Sequence, residues 1–145
     1  TNNVLMLRSD VASADDAIFR VQANGATYAD GAYTGTGADY AEWFEKEGEL
    51  APKDVVGLNL ATGKVRKYQA GDVLVGVYSQ KPGFVGNQPM ERTEEEMRRN
   101  CALVSLMGQV DVKDEQVRLE NGKVYTQDGV PLGYCLANGK VLLKI

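Results

Sequence analysis

The sequence predicts an all-β fold with one short helix, organised as an antiparallel β-sandwich or a jelly-roll-like domain. The main observation is that Asn-Gly or Asp-Gly occurs five times between short apolar runs. Both central residues of a type I′ turn need positive φ, so these dipeptides are the strongest local hairpin signals. The runs between them are rich in Val, Leu and Tyr, which favour strands. The five dipeptides are Asn24-Gly25, Asp30-Gly31, Asn121-Gly122, Asp128-Gly129 and Asn138-Gly139.

The apolar runs between these turns place the strands, and one stretch is helical in pattern. Residues 19–23 alternate apolar and polar side chains, as a half-buried strand does. Residues 93–100 are predicted to be helical because Thr93 is a good N-cap and Glu96 completes a capping box three residues later. The remaining strands are predicted at residues 55–60, 65–68, 73–78, 102–112, 116–119, 123–126 and 140–145.

Residues 1–35 differ in composition from residues 36–145, and we predict two parts with a boundary there. The first part is rich in small residues and lacks a long apolar strand that could close its own core. Such a segment cannot offset its ordering entropy, so it needs an upstream part of the chain or identical copies. A disordered linker is the alternative, but the apolar residues 4–7 disfavour it. Because the chain begins with Thr1 rather than Met, we expect it to be a piece of a longer protein.

The absence of histidine is the strongest restriction on the chemistry. None of the 145 residues is His, which excludes an imidazole-activated nucleophile and any zinc site with His ligands. The net charge of −4 and the lack of a basic cluster disfavour a nucleic-acid partner. No apolar run approaches the length of a membrane helix, and no signal peptide opens the chain. We therefore predict no metal, no cofactor, no nucleic-acid partner and no membrane insertion.

Three further patterns each have a structural and a functional interpretation. Asp54 and Asp72 each precede an apolar run, and we favour equivalent positions in paired strands over a functional carboxylate pair. Residues 82–87 contain two glycines, but a wide turn is favoured over a phosphate loop because no lysine and helix follow. Cys101 and Cys135 adjoin apolar residues, so two buried free thiols are favoured over a disulfide.

The segment of residues 35–48 is the candidate site for chemistry. Hydroxyl groups flanked by glycines precede two carboxylates, Asp39 and Glu42. Carboxylates are the natural acid and base groups of a chain without histidine, and glycine permits the strained backbone that attack on a preceding carbonyl requires. Self-cleavage beside Thr36 is one hypothesis. The alternative, which these residues alone favour, is a glycine hinge followed by an aromatic-anchored strand or turn of helix.

Several stretches together resemble a known family. Residues 36–45 (TGADYAEWFE) carry the core of the resemblance, followed by residues 71–79 (GDVLVGVYS), 83–87 (GFVGN) and 102–110 (ALVSLMGQV). They resemble the C-terminal autoproteolytic intramolecular-chaperone domain of bacteriophage tail spikes and neck appendages, the peptidase G2 type. The resemblance covers residues 36–145. Residues 17–35 are similar to the end of the β-structured shaft that commonly precedes this domain.

The resemblance implies a homotrimer whose C-terminal domain assists folding and registration of the upstream shaft of the same polypeptide. It also implies a single self-cleavage between Gly35 and Thr36. Thr36 is then the attacking hydroxyl residue, with Asp39 and Glu42 as the acid and base candidates. Three aromatic residues are expected to anchor the trimer and the core. These are Tyr40, Trp43 and Phe44.

The same resemblance implies a location and leaves a second function open. We expect a part of a virion tail that folds in the host cytoplasm, or an extracellular surface module if the protein is bacterial. The alternative function is a receptor-binding or glycan-binding tip that does not cleave itself and uses exposed tyrosines. A host-surface glycan would then be the partner.

Overall fold

The computed structural model describes residues 2–11 and 14–145, which form two compact units, residues 1–34 and residues 35–145. Residues 1, 12 and 13 of the predicted first part lie outside the described residues. The prediction of an all-β fold with one short helix is confirmed, because antiparallel strands dominate both units and a single α-helix occurs in the described ranges.

The first unit is a sheet of three antiparallel strands, β1 (Asn3–Val11), β2 (Ala14–Gln22) and β3 (Thr27–Ala29). The turn between β2 and β3 contains Asn24-Gly25, and Gly25 has the predicted positive φ of 85°. None of the side chains described in residues 2–34 is buried. The sheet of this unit is therefore a single layer without a core of its own.

The second unit contains a ten-stranded sheet that is antiparallel apart from the pairing of β4 with β8. Its main path runs in the order β10-β11-β12-β13-β9-β7-β5-β6, and β4 joins this path by pairing with β9. The strands are β4 (Asp39–Glu45), β5 (Val55–Asn59), β6 (Lys64–Lys67), β7 (Val73–Tyr78), β8 (Phe84–Val85), β9 (Cys101–Val110), β10 (Val117–Glu120), β11 (Lys123–Thr126), β12 (Pro131–Cys135) and β13 (Val141–Leu143).

The second unit buries apolar side chains on both faces of its sheet. Val55 and Val56 are neighbours on β5 but belong to different core clusters, because successive side chains of a strand point to opposite faces. The same holds for Leu103 and Val104 on β9. The sheet therefore curls around its own side chains. The largest cluster contains Val55, Leu74, Val77, Val110, Val124, Leu132, Val141 and Leu143.

The helix α1 (Glu94–Asn100) begins as its sequence predicts. The Glu96 backbone N–H donates to the Thr93 hydroxyl at 3.2 Å, and the Thr93 N–H donates to the Glu96 carboxylate at 3.1 Å. Both halves of the capping box are present, which satisfies two N–H groups that a helix start would otherwise leave unpaired. Met97 is the buried residue of α1 and packs against β9 and β4.

Most predicted turns join strands, but not all. Four of the five dipeptides connect neighbouring strands, and Asn121-Gly122 has positive φ at both residues, 51° and 77°. The hairpin prediction at Asp30-Gly31 is wrong, because β3 ends just before it and the next strand, β4, belongs to the other sheet. No helix within the described residues is long and apolar enough to cross a membrane.

Candidate functional site

Thr36 and Asp39 line the same open cleft, which has a volume of about 370 Å³. Thr36 is exposed, whereas Asp39 is half-buried at the first position of β4. Three lysines and a second aspartate also line the cleft, so charges of both signs surround the two residues. These are Lys53, Lys81, Lys140 and Asp111, and Lys140 binds Asp111 at 2.9 Å.

Close backbone packing fixes the segment that carries Thr36. A Cβ atom added to Gly37 would lie 2.4 Å from the Gly83 nitrogen, and one added to Gly83 would lie 2.3 Å from the Gly37 carbonyl oxygen. Gly108 on β9 has φ of 104°, and a Cβ there would lie 2.2 Å from the Ala38 oxygen. Only glycine permits such approaches. Residues 37–39 are therefore held between the loop that contains Gly83 and the strand β9.

The carboxylate of Asp39 is held by donors from two distant segments. The Gly83 N–H lies 2.9 Å from the Asp39 carbonyl oxygen and 3.3 Å from Oδ1. The Ser105 hydroxyl donates to Oδ2 in a short hydrogen bond. Ser105 lies on β9 and is fully buried. Hydrogen bonds to both oxygens fix the orientation of this carboxylate.

Glu42 occupies different surroundings from Thr36 and Asp39. Its Oε1 accepts a hydrogen bond from the Tyr40 hydroxyl at 2.7 Å, and it is not among the residues that line the cleft. This hydrogen bond, followed by burial and by the charge of Glu42, raises the pKa of Tyr40 above its ordinary value. Gly86 packs against the Tyr40 hydroxyl, since a Cβ there would lie 2.3 Å from it. The structure thus brings Thr36 together with Asp39 and ties Glu42 to Tyr40.

The other two aromatic residues of the motif pack inside the second unit. Trp43 is only 5% exposed and lies in a cluster with Met97 and Leu103. Its indole N–H donates to Gln88 Oε1 at 2.7 Å. Phe44 is half-buried against a different cluster on the opposite side of β4. Trp43 and Phe44 therefore stabilise the fold of the chain that carries them.

The loop at residues 82–87 runs along the edge of β4 that does not pair with β9. Its residues Phe84 and Val85 form β8, so the prediction of a wide turn here is wrong. The Asn87 side chain accepts from the Trp43 N–H at 2.8 Å and donates to the Trp43 carbonyl oxygen at 3.1 Å. These bonds satisfy backbone groups that would otherwise be left at a sheet edge.

Asp54 and Asp72 lie just before β5 and β7, which pair with each other as the structural interpretation expects, and each carboxylate has a separate basic partner. Asp72 binds Arg66 at 2.7 Å, and Asp54 binds Lys113. The hydrogen bond from Arg66 lowers the pKa of Asp72; burial opposes this shift and the backbone N–H of Gln69 assists it. Each carboxylate therefore connects its own turn to a basic residue in or next to another strand.

The two cysteines are free, but only one is shielded. Cys101 is half-buried, and burial is the main cause that raises the pKa of its thiol. The prediction of a buried thiol at Cys135 is wrong, because this residue is exposed at the end of β12. Within the residues that the structure describes, no group of three or more Cys, Asp and Glu side chains could hold a metal ion.

Sequence reasoning missed the lysines of the cleft and the two residues that donate to Asp39, Ser105 and Gly83. Ser105 is a polar residue within the apolar run 102–107 of β9, which is a signal that it has a buried partner. Nothing in the local sequence identifies that partner as Asp39, because the two residues are 66 positions apart. Strand pairing alone brings them together.

A family model matches residues 9–96, which is more than half of the chain. Its description is Peptidase_G2, IMC autoproteolytic cleavage domain, where IMC denotes an intramolecular chaperone. The chain belongs to this family. The match begins in the first unit and ends within α1, so β9 and everything after it lie beyond the matched residues.

One solved structure shares the fold of this peptidase G2 chain. It is the crystal structure of the pre-mature bacteriophage phi29 gene product 12, with a TM-score of 0.62 and 21% sequence identity. The alignment covers 88% of this chain and 24% of the phage protein, so the chain spans about a quarter of that protein's length. No curated protein matches the sequence.

Proposed function

We propose that this chain is the chaperone end of a phage appendage protein and cuts itself once between Gly35 and Thr36. The observation that carries this proposal is the placement of Thr36 and Asp39 on one cleft in a member of an autoproteolytic family. The two compact units divide between residues 34 and 35, so the cut falls one residue from their boundary. It would separate the units without removing a strand from either sheet.

The proposed reaction needs only Gly35, the cleft residues Thr36 and Asp39, and water. The Thr36 hydroxyl attacks the Gly35 carbonyl carbon while Asp39 accepts the hydroxyl proton. The C–N bond then breaks, the Thr36 nitrogen takes the proton from Asp39, and Gly35 becomes esterified to the Thr36 oxygen. Water hydrolyses the ester, which leaves a carboxylate on Gly35 and restores the Thr36 hydroxyl.

The charges of the cleft fit this reaction. Negative charge develops on the Gly35 carbonyl oxygen during attack, and the cationic side chains of Lys53 and Lys81 line the cleft in which Thr36 lies. Glu42 would not take part in proton transfer directly, because its carboxylate binds the hydroxyl of Tyr40. In this proposal Asp39 is the base and Glu42 a residue that orders β4.

Intact mass spectrometry and a denaturing gel of freshly expressed protein test the cut. We expect two fragments whose masses place the break between Gly35 and Thr36, and a single full-length species in Thr36→Ala. Thr34→Ala is the matched control, because it removes a neighbouring hydroxyl and leaves the attacking group. A parent protein that remains one species after prolonged incubation rules out self-cleavage in this chain.

We also propose that three copies assemble and that assembly orders the first unit as the end of an upstream β shaft. The support is the exposure of its apolar side chains: Val4 is 68% exposed and Leu7 is 49% exposed. A single-layer sheet needs partners to shield such residues. The protein would then fold in the host cytoplasm and end up in the virion tail.

Light scattering and native mass spectrometry test the assembly. A mass of three chains, independent of dilution over the micromolar range, is the expected result. A monomer throughout that range contradicts the trimer while leaving the cleavage proposal untouched.

A glycan-binding tip is the second candidate, favoured by exposed aromatic rings. Tyr33 is 59% exposed, Tyr134 is 46% exposed, and Tyr28 is 47% exposed although Arg20 lies 4.1 Å from the centre of its ring. Exposed tyrosines are common anchors at binding surfaces. A glycan array probed with the purified protein tests this candidate, and absence of binding to every glycan removes it.

A further inference from the structure

We infer that Ser105 is a positioning residue for the self-cleavage: its hydroxyl orients the Asp39 carboxylate toward the cleft that Thr36 lines. This inference rests on the proposed function, because it assigns Asp39 the role of base. Ser105 lies outside the matched residues 9–96.

The contact between Ser105 and Asp39 is direct, and its serine side is shielded from water. The Ser105 hydroxyl donates to Asp39 Oδ2, and the relative exposure of Ser105 is 0%. Burying a hydroxyl group destabilises the folded protein unless the group is hydrogen-bonded. Asp39 is thus the partner that makes a serine acceptable at this position.

The position of the Ser105 hydroxyl is fixed by strands on both sides. Ser105 is paired with Ala41 of β4 and with Val77 of β7. Gly76 allows β7 to come unusually close, since a Cβ there would lie 1.9 Å from the Ser105 carbonyl oxygen. A hydroxyl on such a constrained backbone can hold a carboxylate in one orientation.

The neighbours of Ser105 indicate that its hydroxyl is not there for packing. Ala102, Leu103 and Val104 are all buried and apolar. An apolar residue would continue this pattern at position 105. The hydroxyl instead binds Asp39. Each carboxylate oxygen of Asp39 then accepts a hydrogen bond from the protein, Oδ2 from Ser105 and Oδ1 from the Gly83 N–H. The remaining lone pairs are then available to a proton from the cleft.

The test compares two substitutions in the full chain, Ser105→Thr and Ser105→Val, whose new side chains are isosteric with each other. Threonine keeps the hydroxyl, and valine has the same shape without it. We expect Ser105→Thr to cut at a rate close to the parent and Ser105→Val to cut about 10-fold to 100-fold more slowly, the range that loss of a hydrogen bond to a charged group produces. The appearance of fragments over time on a denaturing gel gives both rates.

Controls separate positioning from loss of stability. Val104→Ala removes buried methyl groups next to Ser105 without touching Asp39, and it should lower the melting temperature but leave the cleavage rate within about twofold of the parent. Circular dichroism establishes that each variant is folded. If Thr and Val are both too large for the site, Ser105→Ala replaces the pair, and we expect it to cut about 10-fold to 100-fold more slowly than the parent.

The outcomes distinguish this inference from the proposed function. Slow cutting by Ser105→Val with rescue by Ser105→Thr supports the positioning role. Equal rates for the two folded variants overturn that role while self-cleavage stands, as does a folded Ser105→Ala that cuts as fast as the parent. A parent chain that does not cut overturns the proposed self-cleavage and this inference together.

Discussion

The two units of this chain use the same kind of backbone pairing and differ in what covers it. Residues 1–34 form a three-stranded antiparallel sheet in which none of the described side chains is buried. Residues 35–145 form a ten-stranded sheet with three apolar clusters. Backbone hydrogen bonds contribute little net stability, because water offers equivalent partners in the unfolded chain. The second unit is therefore expected to fold alone, and the first is not.

Separating the units gives the largest expected effect. A peptide of residues 1–34 should show no cooperative thermal unfolding, because it buries too little apolar surface to offset its ordering entropy. A fragment of residues 35–145 should unfold cooperatively. Circular dichroism of both fragments measures the difference, and a cooperatively folded, monomeric 1–34 peptide would contradict the comparison.

The same leucine truncation in each unit gives the next largest contrast. Leu132→Ala removes a fully buried side chain and should cost about 2–5 kcal/mol of unfolding free energy. Leu7→Ala removes a side chain that is 49% exposed and should cost about 0.5 kcal/mol or less in the dissociated chain. Urea unfolding measures both. A large cost for Leu7→Ala that grows with protein concentration would show that sister copies cover the first sheet.

Glycine substitutions sharpen the comparison at the backbone. Gly108→Ala introduces a Cβ that would lie 2.2 Å from the Ala38 oxygen, at φ of 104°, and should cost about 3 kcal/mol. Gly25→Ala also has positive φ but meets nothing within 4 Å, so only the local strain of about 1 kcal/mol is expected. Melting temperatures measure the pair. Equal costs would mean that the close approach at β9 relaxes easily.

Charge removal has a smaller effect than Gly108→Ala, and its effect depends on pH. Asp72→Asn breaks the pair with Arg66 and should cost about 2 kcal/mol at pH 7. Because the pKa of Asp72 is lowered in the folded protein, its contribution is complete above the ordinary carboxyl value of about 4 and is lost as the pH falls below it. Asp30→Asn, at an exposed position of the first unit, should be neutral. Urea titrations from pH 2 to pH 7 measure the cost of Asp72→Asn at each pH. A cost that does not change with pH would contradict this assignment.

Local signals predicted local structure well. Thr93 and Glu96 are three residues apart and were sufficient to place the start of α1, because a capping box is a contact within one turn. Asn121-Gly122 placed a hairpin for the same reason. β12 was missed because its proline and glycine are poor strand formers, although a proline at the first position of a strand is tolerated.

The candidate site was only half accessible to sequence reasoning. Thr36 and Asp39 are close in the chain, so their proximity could be predicted. Glu42 is also close, but side chains of β4 emerge on different sides and Tyr40 binds its carboxylate. Ser105 and the cleft lysines come from other strands and loops. Long-range strand pairing decides such contacts, and no short motif encodes it.

The distance along the chain between Asp39 and its donors has a consequence for biosynthesis. Gly83 and Ser105 follow Asp39 by 44 and 66 residues, so neither is present when Asp39 leaves the ribosome. The surroundings of this carboxylate exist only once β9 has emerged and paired with β4. Any reaction that depends on them is postponed until the nascent polypeptide has extended through β9, the sixth of the ten strands of this sheet.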